Sequence, residues 1–234
     1  MTSPVGTSPV SASSLLIRCK GVLFDMDGIL ISSLGSVERS WTRWAQTHGL
    51  DPVYVCSIAH GCRSIETIAL LRPDLDAQAE NDIVEQFEID DTDGVRVLPG
   101  VLNLLAALPQ DRWTVVTSAT EPLARVRLAI GGIPVPERII TADDVSRGKP
   151  DPAPYLAGAA ILGLPPQDCI VFEDAESGTK AGRAAGCTVI ATTFSHSVES
   201  LRAAHYLIED LTSVAVTEPH ADGSFGLRIT PLER

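Results

Sequence analysis

Basic residues are scarce in this 234-residue chain: 18 Lys+Arg stand against 30 Asp+Glu, a formal charge of −12. Without a basic footprint, a nucleic-acid or anionic-membrane partner is excluded. Long apolar runs are missing too, and none approaches the roughly 18 residues that a membrane span needs. Cysteine is sparse and unpatterned. The five residues (Cys19, Cys56, Cys62, Cys169, Cys187) are odd in number and contain no CxxC, which fits reduced thiols better than a disulfide framework. Cys56, His60 and Cys62 lack a fourth ligand at zinc-type spacing. The first seven residues hold no Lys or Arg, whereas a secretory signal has a basic start and a longer apolar centre. Residues 1–14, rich in Ser, Thr and Pro, therefore read as a flexible tail. The expectation is a cytoplasmic protein acting as a monomer. With 44% hydrophobic residues, the chain has the material for a core, and global disorder is excluded.

What is present is an alternation. Short β-branched runs at residues 19–24, 113–117, 138–141, 169–172 and 188–191 predict strands. Helix-length segments at 100–108, 121–130, 152–162 and 176–185 lie between them, with Pro122 and Pro152 near helix starts, where a missing N–H costs little. This order predicts an α/β fold with a Rossmann-like parallel sheet and crossover helices. Residues 34–96 break the rhythm, offering helices at 36–48, 64–71 and 76–89 and no convincing strand. Val97-Leu98-Pro99-Gly100 then reads as a re-entry hinge. The expected organisation is a discontinuous core, 15–33 and 97–234, with a small helical domain inserted at 34–96. Ala221-Asp222-Gly223 is a candidate hairpin turn between 214–216 and 225–229.

Chemistry-bearing residues fall at the predicted strand ends, where open α/β sheets bind ligands. Asp25-Met26-Asp27-Gly28 follows the first strand. Two acids one residue apart on a turn can share a divalent cation, one attacking while the other handles protons. Alone, such a turn reads equally well as a helix cap. Thr117-Ser118 ends the second strand with hydroxyls suited to phosphoryl oxygens or to an N-cap. Gly148-Lys149-Pro150 places a cation before a helix, and Phe172-Glu173-Asp174 adds two more acids. Like charges at one sheet edge are costly unless a cation or protonation relieves them. Their joint placement makes coincidence improbable.

Asp25-Met26-Asp27-Gly28-Ile29-Leu30, Thr117-Ser118, Gly148-Lys149-Pro150 and Phe172-Glu173-Asp174-Ala175-Glu176-Ser177-Gly178 resemble, in order, the four motifs of the haloacid dehalogenase superfamily. The similarity covers nearly all of residues 19–216, and the helical block resembles that superfamily's small α-helical cap. Ala59-His60-Gly61-Cys62-Arg63, Ile140-Thr141-Ala142-Asp143-Asp144-Val145 and residues 186–194 are similar to its glycerol-3-phosphatase, 2-deoxyglucose-6-phosphatase and bacterial sugar-phosphatase group. The resemblance implies that Asp25 attacks phosphorus and becomes a phosphoaspartate. Asp27 would protonate the leaving oxygen and then activate water. Mg²⁺ would be held by the Asp25 carboxylate, the Asp27 carbonyl and Asp174, with Glu173 direct or through water. Thr117 or Ser118, with Lys149, would bind the transferring group. Ile29 and Ser32-Ser33 stand where the family more often has Thr and an Asp-Ser or Asp-Thr pair. Neither change removes a catalytic group.

In the helical block, His60 and Arg63 are candidates for binding a sugar or polyol. Trp41 and Trp44, three apart on one helix face, read as core. The expected substrate is a small phosphorylated sugar or polyol. A β-phosphoglucomutase-like phosphotransferase would share Asp25 and Asp27 but return the phosphoryl group to a sugar. A receiver-like signalling module would also gather acids, a hydroxyl and a Lys, but without a helical insert after the nucleophile strand.

Overall fold

The computed structural model describes residues 14–59 and 62–233. The expected tail, apart from Ser14, lies outside them. The chain enters through β1 (Leu15–Cys19) and β2 (Gly21–Phe24), then β3 (Ile31–Ser32). Four helices follow: α1 (Leu34–Thr47), α2 (Pro52–Ala59), α3 (Ser64–Leu71) and α4 (Ala77–Asp90). After β4 (Arg96–Val97) the chain runs α5 (Val101–Ala107), β5 (Trp113–Val115), α6 (Glu121–Ile130), α7 (Ala153–Ile161), β6 (Cys169–Glu173) and α8 (Glu176–Ala184). It closes with β7 (Thr188–Thr192), β8 (Tyr206–Ile208), β9 (Val214–Val216) and β10 (Phe225–Ile229).

Five strands form a parallel sheet in the order β5-β2-β6-β7-β8. The predicted α/β class is the observed one. Alternate residues of each strand face opposite layers. Phe24, Ile170, Phe172 and Ile190 pack on one side with α5 and α6 residues such as Leu104 and Leu128. Leu23, Val171 and Val189 pack on the other with Tyr155 and Ala159 of α7 and Ala181 of α8. Phe24 stacks on Phe172 with ring centroids 5.2 Å apart, which ties the two central strands together.

The run 19–24 is not one strand. Lys20 interrupts it, and its N–H turns to Asp168 O. β1 joins β10 and β9 in a separate antiparallel sheet, whose β9–β10 pair is the expected hairpin. Residues 138–141 supply only a bridge, Ile140 beside Val116. β8 and α2 were not predicted; β8 is three residues long, too short for a period to register.

β3 and β4 pair antiparallel, Ile31 with Val97 and Ser32 with Arg96, so the entrance and exit of the helical block lie side by side. The block has its own apolar centre of Trp41, Trp44, Val55, Ile68 and Val84. Both tryptophans are core, edge to face at 5.5 Å, and the Trp44 indole N–H donates to Glu80. Asp76 caps α4 by accepting from the N–H groups of Gln78 and Ala79. α4 packs against α6, the helix that follows β5. No helix among the described residues is long and apolar enough to cross a membrane.

Candidate active site

β2 delivers Asp25 at its carboxyl end, where the Asp25 N–H donates to Phe172 O of the neighbouring β6. β6 ends in Glu173, and Asp174 follows. Carboxylate oxygens of Asp25, Glu173 and Asp174 lie within 4.8 Å of one another, and all three residues are buried. Two glycines permit this crowding. Gly28 has φ +82°, and a Cβ there would strike the Asp174 carboxylate; a Cβ on Gly178 would strike Glu173.

Lys149 neutralises part of the cluster. Its Nζ donates to Asp25 Oδ1 at 2.5 Å, Glu173 Oε1 at 2.8 Å and Val116 O at 3.1 Å. Burial pulls the ammonium down, but the Asp25 and Glu173 carboxylates more than offset it, so its pKa lies above the usual lysine value. Burial pushes Asp25 up to about 7, against the pull of Lys149 and with the push of Glu173. Burial, then Asp25 and Glu173, holds Asp174 well above the usual carboxylate range. One ammonium does not balance three clustered carboxylates.

These are hard oxygen donors in a compact, charge-deficient nest, the chemistry of a Mg²⁺ or Ca²⁺ site. Their availability differs. Glu173 is fully engaged: Oε1 accepts from Lys149 and from the Tyr155 hydroxyl at 2.6 Å, and Oε2 from the N–H groups of Asp174 and Ala175. Asp25 lines a cavity, and its Lys149 contact is made through Oδ1. Asp174 has one oxygen bonded to Ser195 Oγ, which also contacts His196 Nδ1 at 2.7 Å.

The Asp27 carboxylate turns away from this cluster. Ser33 Oγ donates to its Oδ1 at 2.5 Å, and Arg127 Nη1 to its Oδ2 at 2.9 Å. A cavity of about 140 Å³ joins the groups, lined by Asp25, Asp27, Thr117, Ser118, Lys149, Glu173, Asp174 and Arg63. Eight of the nine predicted site residues thus meet at one place; His60 lies outside the described residues. Thr117 is buried, and its Oγ1 accepts from Ala119 N, leaving the hydroxyl hydrogen for another acceptor. Arg63 spans two segments, donating to Glu66 and to the carbonyls of Ser146 and Ala142.

Sequence reasoning missed Arg127, Glu88, Tyr155, Ser195 and His196. Arg127 and Glu88 carried a signal: each is a charged residue at helical spacing from apolar neighbours, Leu123 and Ala124 for one and Val84 for the other. Ser195 and His196 lie on a loop and carried none.

This geometry, a carboxylate pair after the first strand of a parallel sheet with a Lys and further acids at neighbouring strand ends, defines a class of hydrolase. The haloacid dehalogenase-like hydrolase family matches residues 19–186, and the chain belongs to it. It is 42% identical over 212 residues to hexitol phosphatase A of Escherichia coli (strain K12), covering 88% of this chain and 98% of that one. It is 35% identical over 231 residues to glycerol-1-phosphate phosphohydrolase 1 of Saccharomyces cerevisiae, covering 92% and 91% respectively. Among solved structures, a hydrolase from Pseudomonas syringae superposes with a TM-score of 0.75 at 25% identity, over 83% of this chain and 94% of that one.

Proposed function

We propose that the chain is a Mg²⁺-dependent phosphatase that hydrolyses small sugar or polyol phosphates through a phosphoaspartate on Asp25. The observation that carries this reading is the Asp25–Lys149 contact: Oδ1 is anchored at 2.5 Å, so Oδ2 is the oxygen presented for attack. The relatives named for hexitol and glycerol phosphates support the substrate class.

In the first step Asp25 Oδ2 bonds to phosphorus as the P–O ester bond breaks, and Asp27 gives its proton to the leaving oxygen. In the second, Asp27 takes a proton from water, whose oxygen bonds to phosphorus. The bond between phosphorus and the Asp25 oxygen breaks, releasing phosphate and restoring both carboxyl groups. Two in-line displacements place both steps on groups already held in position. Lys149 and the hydroxyls of Thr117 and Ser118 bind the phosphoryl oxygens. Asp25, Asp174 and the Asp27 carbonyl would hold Mg²⁺, with Glu173 acting through water because its own oxygens are engaged. Bound there, the ion supplies charge neutralisation for a dianionic ester.

Residues 34–96 act as a cap domain that closes over the cavity and excludes water while the phosphoenzyme forms, with Arg63 and His60 on its substrate side. The enzyme works on dissolved small molecules as a cytoplasmic monomer, without nucleic acid or membrane. The test is phosphate release, with and without Mg²⁺, from glycerol, hexitol and deoxyhexose phosphates. Asp25→Asn abolishes release, because the amide cannot form the acyl phosphate; activity retained in that variant would sink the mechanism. Release of free phosphate, with no phosphorylated sugar formed, separates hydrolysis from transfer.

A further inference from the structure

We propose that Arg127 is a positioning residue for Asp27, and that Glu88 of the helical block positions Arg127 in turn. The inference rests on the phosphatase reading, in which Asp27 moves the proton.

Arg127 sits on the buried face of α6, 100 residues from Asp27 in sequence. Its guanidinium forks: Nη1 donates to Asp27 Oδ2 and Nη2 to Glu88 Oε2, each at 2.9 Å. The side chains of Arg127 and Glu88 are only 4% and 5% exposed. A charge so buried is costly unless paired, and the planar fork meets two carboxylates from two different segments at once.

The consequence lies in which oxygen of Asp27 is free to work. A guanidinium does not release its proton, so Oδ2 carries a fixed donor. Oδ1 faces Ser33 Oγ at 2.5 Å. The Ser33 hydroxyl donates to Oδ1 but is a rotor that can turn its hydrogen aside, so Oδ1, unlike Oδ2, can gain and give up a proton. Proton exchange is thereby confined to Oδ1, in a fixed orientation at the cavity. Glu88 comes from α4, so the clamp is complete only when the helical block is seated against α6.

A purely structural ion pair and a positioning pair differ in leaving-group dependence. Arg127 Nε is buried and has no partner among the described residues, so a polyol substrate would offer it a hydroxyl. Aryl phosphates offer none, and their phenols can be varied in acidity at nearly constant size. The experiment measures kcat/KM, which reports phosphoryl transfer, across such a series for wild type and Arg127→Met. The ester with the most acidic phenol needs little protonation and should slow by no more than about threefold, while the least acidic falls roughly tenfold or more. A steeper dependence on phenol acidity is the expected result. A common factor across the series would overturn the proposal.

Because Arg127→Met leaves Glu88 buried and unpaired, the double variant Arg127→Met/Glu88→Gln is measured alongside, with the same steepening expected and the same overturning result. Glu88→Leu should steepen the dependence to a smaller degree, and an unchanged slope overturns the role given to Glu88. Wild-type protein that releases phosphate from no ester would instead overturn the phosphatase reading, and this inference with it.

Discussion

Replacing Lys149 with Met tests the electrostatic reading of the site most directly, because the side chain stays similar in length while losing its charge and the hydrogen bonds that the ammonium donates. In the folded protein the ammonium is 3% exposed and touches two carboxylates at 2.5 and 2.8 Å. Removing one partner of a buried ion pair costs about 3–5 kcal/mol, since the remaining charge stays desolvated. Here two carboxylates lose their counter-charge, and Asp174 lies beside them. That places the metal-free variant at the upper end of the range. The pH dependence follows from Asp25, whose folded pKa is raised from 3.8 to about 7. The folded state holds this proton more tightly than the unfolded chain does. Its contribution to stability is therefore complete below the ordinary value and lost as pH rises through about 7. Without the ammonium the carboxyl binds its proton tighter still, so the deficit of Lys149→Met is largest at about pH 8 and shrinks towards about pH 5. Urea unfolding in the presence of a chelator, followed by circular dichroism with equal slopes required, measures the difference. A deficit below about 1 kcal/mol at the higher pH, the value of an exposed pair, would refute the reasoning. So would a deficit that does not change with pH.

Glu88 gives a second pH signature. Burial, opposed by Arg127, raises it from 4.5 to about 6, so its stabilising proton is fully bound below the ordinary value and lost as pH rises through about 6. The shift corresponds to about 2 kcal/mol. Over that window the urea-measured stability of Glu88→Gln should gain on wild type by about this amount; parallel curves would contradict the burial argument. Ser195 holds an Asp174 oxygen, and outer partners of metal ligands typically affect affinity by 10–100-fold. Ser195→Ala should raise the Mg²⁺ concentration for half-maximal phosphate release by about tenfold, and an unshifted Mg²⁺ titration would remove Ser195 from the site.

Asp25, Asp27, Lys149, Glu173 and Asp174 were legible in the sequence because each falls at the end of a strand, just after one or shortly before a helix, where local pattern and spacing indicate its place. Parallel-sheet topology then gathers strand carboxyl ends without further information. Arg127 and Glu88 were not legible as partners of Asp27. Their meeting depends on how α4 lies on α6, a packing outcome that no local period encodes. Each left only the trace of a charge on an apolar helix face. The engagement of Glu173 Oε1 was hidden for the same reason, since Tyr155 and Lys149 reach it through tertiary structure, whereas the N–H groups on Oε2 come from the next two residues. The run 19–24 was read as one strand and β1 was missed, because no local period says that the chain changes sheets at Lys20.

The cations lining the cavity bear on how an acidic protein admits a phosphate dianion. Among the described lining residues, Lys149 is matched by Asp25 and Glu173, Arg127 by Asp27 and Glu88, and Arg63 by Glu66. Asp174 and Glu85 add further acidic groups on the same walls. Each cation is thus already committed to a carboxylate, and a dianionic ester brought to these groups alone would raise the excess of negative charge in a medium that screens it poorly. Ligand binding in such a site needs positive charge that the side chains do not hold in reserve. A divalent ion held by Asp25 and Asp174 would supply it, and would relieve the like-charge cost that, with burial, raises both carboxyl pKa values. The proposed Mg²⁺ dependence accords with this charge distribution, and it predicts that the ion and the phosphate ester bind with positive coupling, each strengthening the other.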